Sequence, residues 1–300
     1  MESVSKFLIG FSGFLDFAAK KLSGASFRLS PEMAISQADC EGQNWQNVRP
    51  CFVLSTGRSG TLLLNNLLQS AKNVFPIHQP SPELTRPSKL AYENISTQAE
   101  IFREIFKSAR EEYLLQAARR QKVFIETNNR ITFFAPIIKD VFPNSVFIHL
   151  VRHPGDFVRS GIRRKWYSGE HDHDIGRIVP TSGETKKLWQ ELSLIEKIGW
   201  LWNETNQFIE DFQKKKPDDF MFVKAEELFS QPQITKNIFS FLKLDGFESK
   251  AVTKVLKKPA NVQRKGHFPK YENWDNNDKE RLRRFVPLAE KYGYQVKRIA

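Results

Sequence analysis

Apolar residues fall in two rhythms along this chain. Short unbroken runs, such as Cys51-Phe-Val-Leu54, Ser145-Val-Phe-Ile-His-Leu-Val151 and Phe220-Met-Phe-Val-Lys224, show little alternation. That is the pattern of strands buried on both faces of a parallel sheet. Between them, apolar positions recur at helical spacing, as in Leu62-Leu-Leu-Asn-Asn-Leu-Leu68. The two rhythms predict strands over residues 50–55, 74–78, 122–126, 145–151 and 220–224. Helices are predicted over 60–71, 98–119, 131–141, 156–165, 186–215, 232–243 and 276–291. The polar stretches 78–84 and 166–185 read as loops. Strands alternating with helices imply an α/β fold, a parallel sheet with right-handed crossovers and helices on both faces.

The first 47 residues break the rhythm. Phe7, Leu8, Phe11, Phe14, Leu15 and Ala18 share a helical face over residues 1–22, while Ile9 and Phe17 spill off it. Asp16 interrupts a stretch already too short to span a bilayer, and a small-residue cleavage site is missing. An amphipathic helix touching a membrane through residues 5–21, with Lys20 and Lys21 at its end, is one reading. A helix packed on the domain or at a contact between copies in a homo-oligomer is the other. Residues 23–47 read as a polar linker. The expected organisation is therefore an N-terminal helical extension, 1–47, and a single domain, 48–300, long enough for a sizeable core.

Two strand ends carry the chemistry. The first run breaks into Ser55-Thr-Gly-Arg-Ser-Gly-Thr61, a glycine-bracketed loop that leads straight into a helix. Strand, tight loop and helix aim backbone N–H groups and a helix N-terminus at a phosphate. The nucleoside-triphosphatase pattern G-x-x-x-x-G-K-[ST] would need glycine at Ser55, lysine at Thr61 and a hydroxyl at Leu62, and has none of them. The groups that reach the β/γ-phosphates and hold Mg²⁺ are missing, and the basic side chain sits earlier, at Arg58. The loop reads as built for a nucleotide phosphate without a metal. A second strand ends in Arg152-His-Pro-Gly155, and Ser160 follows eight residues after Arg152 on the next helix. Ligands in open α/β sheets bind outside the carboxyl ends of the strands, so both motifs open onto one edge.

With these residues the chain resembles the sulfotransferases that use 3′-phosphoadenosine 5′-phosphosulfate (PAPS). In that family a [KR]-S-G-T loop binds the 5′-phosphosulfate, and an Arg with a Ser eight residues on binds the 3′-phosphate. Arg58-Ser59-Gly60-Thr61 and the Arg152–Ser160 pair match these motifs. Ile125-Glu-Thr-Asn-Asn-Arg130 with Phe142-Pro-Asn144, and Phe222-Val-Lys-Ala-Glu-Glu-Leu-Phe-Ser-Gln-Pro232 with Phe241-Leu-Lys-Leu244, are similar to its later segments. Arg264-Lys265-Gly266, with Trp274 downstream, resembles the loop that closes over the 3′-phosphate. The ordered series covers roughly residues 48–294 and is far more specific than either loop alone. The resemblance implies a P-loop-NTPase-like sheet, PAPS as co-substrate and no metal. It assigns Gly57, Arg58, Ser59, Gly60, Thr61, Arg152, Ser160, Arg264, Lys265 and Gly266 to the nucleotide, with Arg58 as the catalytic cation. Leu62 departs from a second threonine common in the family.

A hydroxyl acceptor also needs a base. The family places a Glu or His about twenty residues beyond the loop's basic residue, which lands near His78 and Glu83 and leaves the choice between them open. Glu126, at another strand end, is a further candidate carboxylate, the alternative being that it pairs with Arg130 or Arg58. His171-Asp-His-Asp174 is too local for a full coordination sphere and reads as a polar loop on the acceptor rim. Trp166, Tyr167, Trp189, Trp200 and Trp202 read as core or as an acceptor wall.

Charge narrows the partners. The net charge is +12, and residues 251–300 hold 13 Lys/Arg against 5 Asp/Glu, a net of +8. An anionic partner follows, and a carbohydrate, lipid or small-metabolite acceptor is expected rather than nucleic acid. Cys40 and Cys51 frame no disulfide network, so a reducing cytoplasm is the default. Two rivals share parts of this picture: a P-loop kinase, which lacks its lysine here, and a non-enzymatic basic nucleic-acid or membrane-binding protein, which leaves Arg58, Arg152 and Ser160 unexplained.

Overall fold

A computed structural model describes residues 49–170, 172–258 and 266–296. The expected N-terminal helix and linker, with Cys40, lie outside the described residues, and so do His171, Arg264 and Lys265.

The sheet has five parallel strands: β1 (Cys51–Leu54), β2 (Val74–Ile77), β3 (Val123–Glu126), β4 (Val146–Val151) and β5 (Phe220–Lys224), in the order β2-β3-β1-β4-β5. Each predicted strand is present. β1 and β4 run side by side in the middle, with Phe52 opposite Phe147 and Leu54 opposite His149. β2 carries Pro76, which cannot donate to a ladder, and it lies at the sheet's edge.

Strand geometry turns successive side chains to opposite faces, and both faces are covered. Cys51 and Val53 pack with leucines of α1 (Thr61–Leu68). Phe52 and Leu54 face Phe102 and Phe106, from a long helix, Ala99–Arg119. Phe52 sits within 5.8 Å of the rings of both Phe106 and Phe124. Such aromatic pairs add about 0.5–1.5 kcal/mol each beyond their buried area.

The remaining helices, continuing the numbering, are α2 (Thr85–Asn94), α3 (Ala99–Arg119), α4 (Ala135–Val141), α5 (Pro154–Ile162), α6 (Gly183–Leu188), α7 (Leu194–Gln213), α8 (Ala225–Ser230), α9 (Pro232–Leu242), α10 (Ser249–Leu256), α11 (Asn276–Phe285) and α12 (Leu288–Lys291). The pattern missed α2, whose buried positions are only Ser88 and Ala91, too few for an apolar stripe. It also missed α8 and α10, six and eight residues long. The helix predicted over 186–215 is two helices. Ser193 and Glu196 form a capping box that starts α7 afresh, the serine hydroxyl and the glutamate satisfying each other's backbone N–H. The helix predicted over 276–291 divides at Pro287 into α11 and α12. The 166–185 loop contains a short 3-10 turn, Asp172–Gly176. Among the described residues no helix is long and apolar enough to cross a membrane.

One expectation is corrected by packing. Glu126 pairs with neither Arg130 nor Arg58. Its carboxylate takes two hydrogen bonds from Arg110 on α3, at 2.7 and 3.0 Å, and one from Asn128 at 2.9 Å. Both partners of the ion pair are fully buried. Arg110 also donates to the carbonyl of Pro82, so the pair braces the loop after β2. Glu126→Ala, which strands the Arg110 charge in the core, is expected to lower stability by about 3–5 kcal/mol in urea unfolding. Joint replacement by Arg110→Met and Glu126→Leu should recover most of that loss.

Candidate active site

The loop after β1 is shaped by three consecutive demands on its backbone. Gly57 and Gly60 have φ of +82° and +94°, and Arg58 between them is also left-handed at +57°. A Cβ on Gly57 would lie 2.8 Å from the Asn129 amide, and one on Gly60 would lie 2.4 Å from the Phe229 ring. Only glycine meets both the conformation and the close approach. Ser55 anchors the loop's start: its N–H donates to Thr132 Oγ1 at 3.2 Å, and that hydroxyl donates back to its carbonyl at 3.0 Å. Ser59 is fully buried, and its hydroxyl donates to the Gly57 carbonyl at 3.1 Å, bracing the loop from beneath. The loop's glycines, Arg58 and Thr61 line a cleft of about 620 Å³ above the carboxyl ends of the strands.

The second motif meets the first there. Arg152, at the end of β4, donates to the Arg58 carbonyl at 3.0 Å and to Asp156 at 3.0 Å. Its Nε is buried and has no partner in the described structure. Arg58 Nε donates to Ser160 Oγ on α5 at 3.3 Å, and Arg164 donates to the same hydroxyl at 2.8 Å. Residues 102 positions apart are thus in direct contact. Of Arg264-Lys265-Gly266 only Gly266 is described, and its carbonyl accepts from Arg163 Nε at 2.9 Å.

The peptide linking Arg152 to His153 is gripped from both sides. The Trp202 indole donates to the Arg152 carbonyl at 2.9 Å, and Glu226 accepts from the His153 N–H at 2.9 Å. Tyr294 in turn donates to Glu226 at 2.8 Å. Trp202 is fully buried, so of the five aromatics it is plainly core; Trp166 is also buried but reaches the cleft wall.

Sequence reasoning missed much of the cleft's charge. Besides Arg58 and Arg152, the wall includes Arg130, Arg159, Arg163, Arg164 and Arg177, with Asp156 as its one carboxylate among the described residues. The signal was present at Arg159, Arg163 and Arg164, which share one helical face beside Ser160. Arg177 gave no signal. Burial and the crowding of Arg58, Arg163 and Arg177 push the Arg164 guanidinium down to about 10, still charged at neutral pH. Burial and Arg152 lower Arg58 likewise.

Of the two candidate bases, His78 lines the cleft and Glu83 does not. The His78 Nδ1 lies 3.0 Å from the Thr127 hydroxyl. That hydroxyl can direct its hydrogen to the Ile77 carbonyl at 3.3 Å or to Asn65 at 3.4 Å, an arrangement in which Nδ1 donates to it and Nε2 carries the lone pair. Burial, and then the nearby Arg130 charge, hold this imidazole below its ordinary 6.5. Glu83 is bound to Arg130, and that bond holds its carboxyl below the usual range. Among the described residues no group of three His, Cys, Asp or Glu is arranged to hold a metal ion. Of the polar cluster, His173 lies 3.5 Å from Arg130 and Asp174 accepts from Arg177 at 2.6 Å.

Comparison with known proteins identifies the family and the fold. The model of the sulfotransferase family matches residues 50–249. A sulfotransferase domain from the curacin biosynthetic pathway superposes with a TM-score of 0.50 at 17% identity, covering 84% of this chain and all of that one. Sulfotransferase STF9 from Mycobacterium avium gives 0.50 at 12% identity, covering 87% of this chain and 80% of that one. At such identities these structures speak for the fold alone. No curated protein sequence matches the chain. Since the family match spans two thirds of the sequence, the chain belongs to the sulfotransferase family.

Proposed function

We propose that the enzyme transfers a sulfuryl group from PAPS to a hydroxyl or amine of a carbohydrate, lipid or small-metabolite acceptor. The observation that carries this reading is the meeting of Arg58, Arg152 and Ser160 at the mouth of the α1 N-terminus. The residues suit a nucleotide with two phosphate groups. The glycines let the loop turn through left-handed backbone, the buried Arg152 Nε has no partner among the described residues, and the wall is rich in guanidinium donors.

In this reading the loop N–H groups, the α1 N-terminus and Thr61 hold the 5′-phosphate, while Arg152, Ser160 and the segment of Arg264, Lys265 and Gly266 hold the 3′-phosphate. Ser59 contributes through its backbone, its hydroxyl being turned inward. Transfer breaks the S–O bond to the phosphate as a new bond forms from sulfur to the acceptor atom. The products are the sulfated acceptor and adenosine 3′,5′-bisphosphate. Negative charge gathers on the departing phosphate oxygen, where Arg58 neutralises it; one such preorganised donor is worth about 3–4 kcal/mol of barrier. His78 takes the acceptor's proton, because it lines the cleft with a depressed pKa that keeps it neutral, while Glu83 lies outside the cleft wall.

Calorimetry with adenosine 3′,5′-bisphosphate tests the donor: tight binding that needs the 3′-phosphate supports it, and equal affinity for adenosine 5′-phosphate overturns it. Arg58→Ala should lower turnover about 10²–10³-fold while nucleotide affinity changes little. Arg152→Ala removes a charge-assisted contact and should weaken nucleotide binding by about 1.5–3 kcal/mol. Glu226→Ala should weaken it too, by loosening the Arg152–His153 peptide, with Glu226→Gln largely restoring it; unchanged affinity in both would dismiss the clamp. His78 must be neutral to act, and its pKa is depressed. Turnover should therefore be flat above pH 6.5 and fall only on the acid side of that value, a limb that vanishes with the residual activity of His78→Ala.

A further inference from the structure

The strand order lays out the cleft along a line. Its floor is formed in turn by the residues after β4 (Arg152), β1 (Arg58), β3 (Asn129 and Arg130) and β2 (His78). In the reading above, the nucleotide occupies the β4–β1 half, so its sulfuryl group faces the β3–β2 half, and the acceptor must lie there.

That half gathers guanidinium groups among neutral polar ones such as Gln79, Thr85 and Ser88. Arg130, His173 and Arg177 line it, with Arg130 3.5 Å from His173. Arg177 lies over the Trp166 ring, 3.9 Å from its centroid, and only its Nε is engaged, by Asp174. Arg164 links the two halves, sensing Arg58 on one side and Arg177 on the other. The one carboxylate among the described lining residues, Asp156, is bound to Arg152 in the other half. A guanidinium only donates hydrogen bonds and an ionised oxyanion only accepts them, whereas a neutral polyol brings hydroxyl protons that need acceptors. The charged groups of this half match the oxyanion. Glu83 already acts as one: its half-exposed carboxylate reaches Arg130 from outside the cleft. Solvent screens the half-exposed Glu83 side of this pair, so a substrate anion can compete with it for Arg130.

We infer that Arg130, His173 and Arg177 form a second oxyanion-binding subsite in the acceptor half of the cleft, and that the acceptor carries a carboxylate, sulfate or phosphate near the group that is sulfated. The inference rests on the sulfuryl-transfer reading of the donor half.

The test is calorimetry on the full chain saturated with adenosine 3′,5′-bisphosphate. Three probes are titrated: inorganic sulfate, p-nitrophenyl β-D-glucuronide and its neutral twin, p-nitrophenyl β-D-glucoside. Sulfate should bind one-to-one, and the glucuronide should bind about tenfold or more tighter than the glucoside. Arg130→Gln should weaken sulfate by a similar factor, and Glu83→Gln should strengthen it by removing the competing carboxylate. Bisphosphate affinity should be unchanged in both variants. Because Glu83 is half-exposed, its variant keeps the test decisive even if Arg130→Gln fails to fold. The inference is overturned if neither anion binds the saturated protein, if the glucoside binds as well as the glucuronide, or if sulfate binding ignores the substitutions. Should the bisphosphate itself not bind, the donor reading is what fails. Sulfate binding still governed by Arg130 and Glu83 would then uphold the subsite alone, and its absence would overturn both.

Discussion

The site depends on one hydrogen bond, from Arg152 to the carbonyl of Arg58. It joins the ends of the two central strands, β4 and β1, and it brings two like charges together. Nothing in the Coulomb energy favours that approach. It holds because the Arg152 backbone is gripped by Trp202 and Glu226, while the Arg58 backbone is pinned in a left-handed turn between two glycines. The packed layers on both faces of the sheet supply the rigidity that the arginines lack.

Crowded guanidinium groups are a cost that folding alone would avoid. Arg164 shows it most clearly, being depressed by burial and by three neighbouring arginines. An anion in the cleft relieves that repulsion, so the same electrostatics that destabilise the empty site favour binding. The carboxylates around the cleft fit this view. Asp156, Glu83 and Asp174 each hold one arginine and orient it, and two of the three do so from outside the cleft wall.

Much of the fold was legible because burial on both faces writes itself as apolar runs. All five strands and the helices after β1 and β4 were marked in this way. The errors share a cause as well. Helix α2 buries only Ser88 and Ala91, so it leaves no apolar stripe to read. The long helices predicted late in the chain are cut by a capping box at Ser193 and by Pro287, local chemistry that periodicity overlooks. Glu126 was read as a further candidate carboxylate or as a partner of Arg130 or Arg58, whereas it is bound to Arg110, which comes from a packed helix.

The sequence by itself determined the α/β class, the strand ends that carry Arg58 and Arg152, and the glycines that allow the loop. These are local matters: backbone conformation, residue spacing and which face is buried are set within a few residues. Only the tertiary structure decided which charges share the cleft. Arg130, Arg164 and Arg177 come from three separate segments, and it is the strand order and the packing of α5 and the 172–178 segment that bring them within reach of one ligand. It also separated His78 from Glu83, turning one towards the cleft and tying the other to Arg130, because a side chain's partner depends on distances that no linear spacing records.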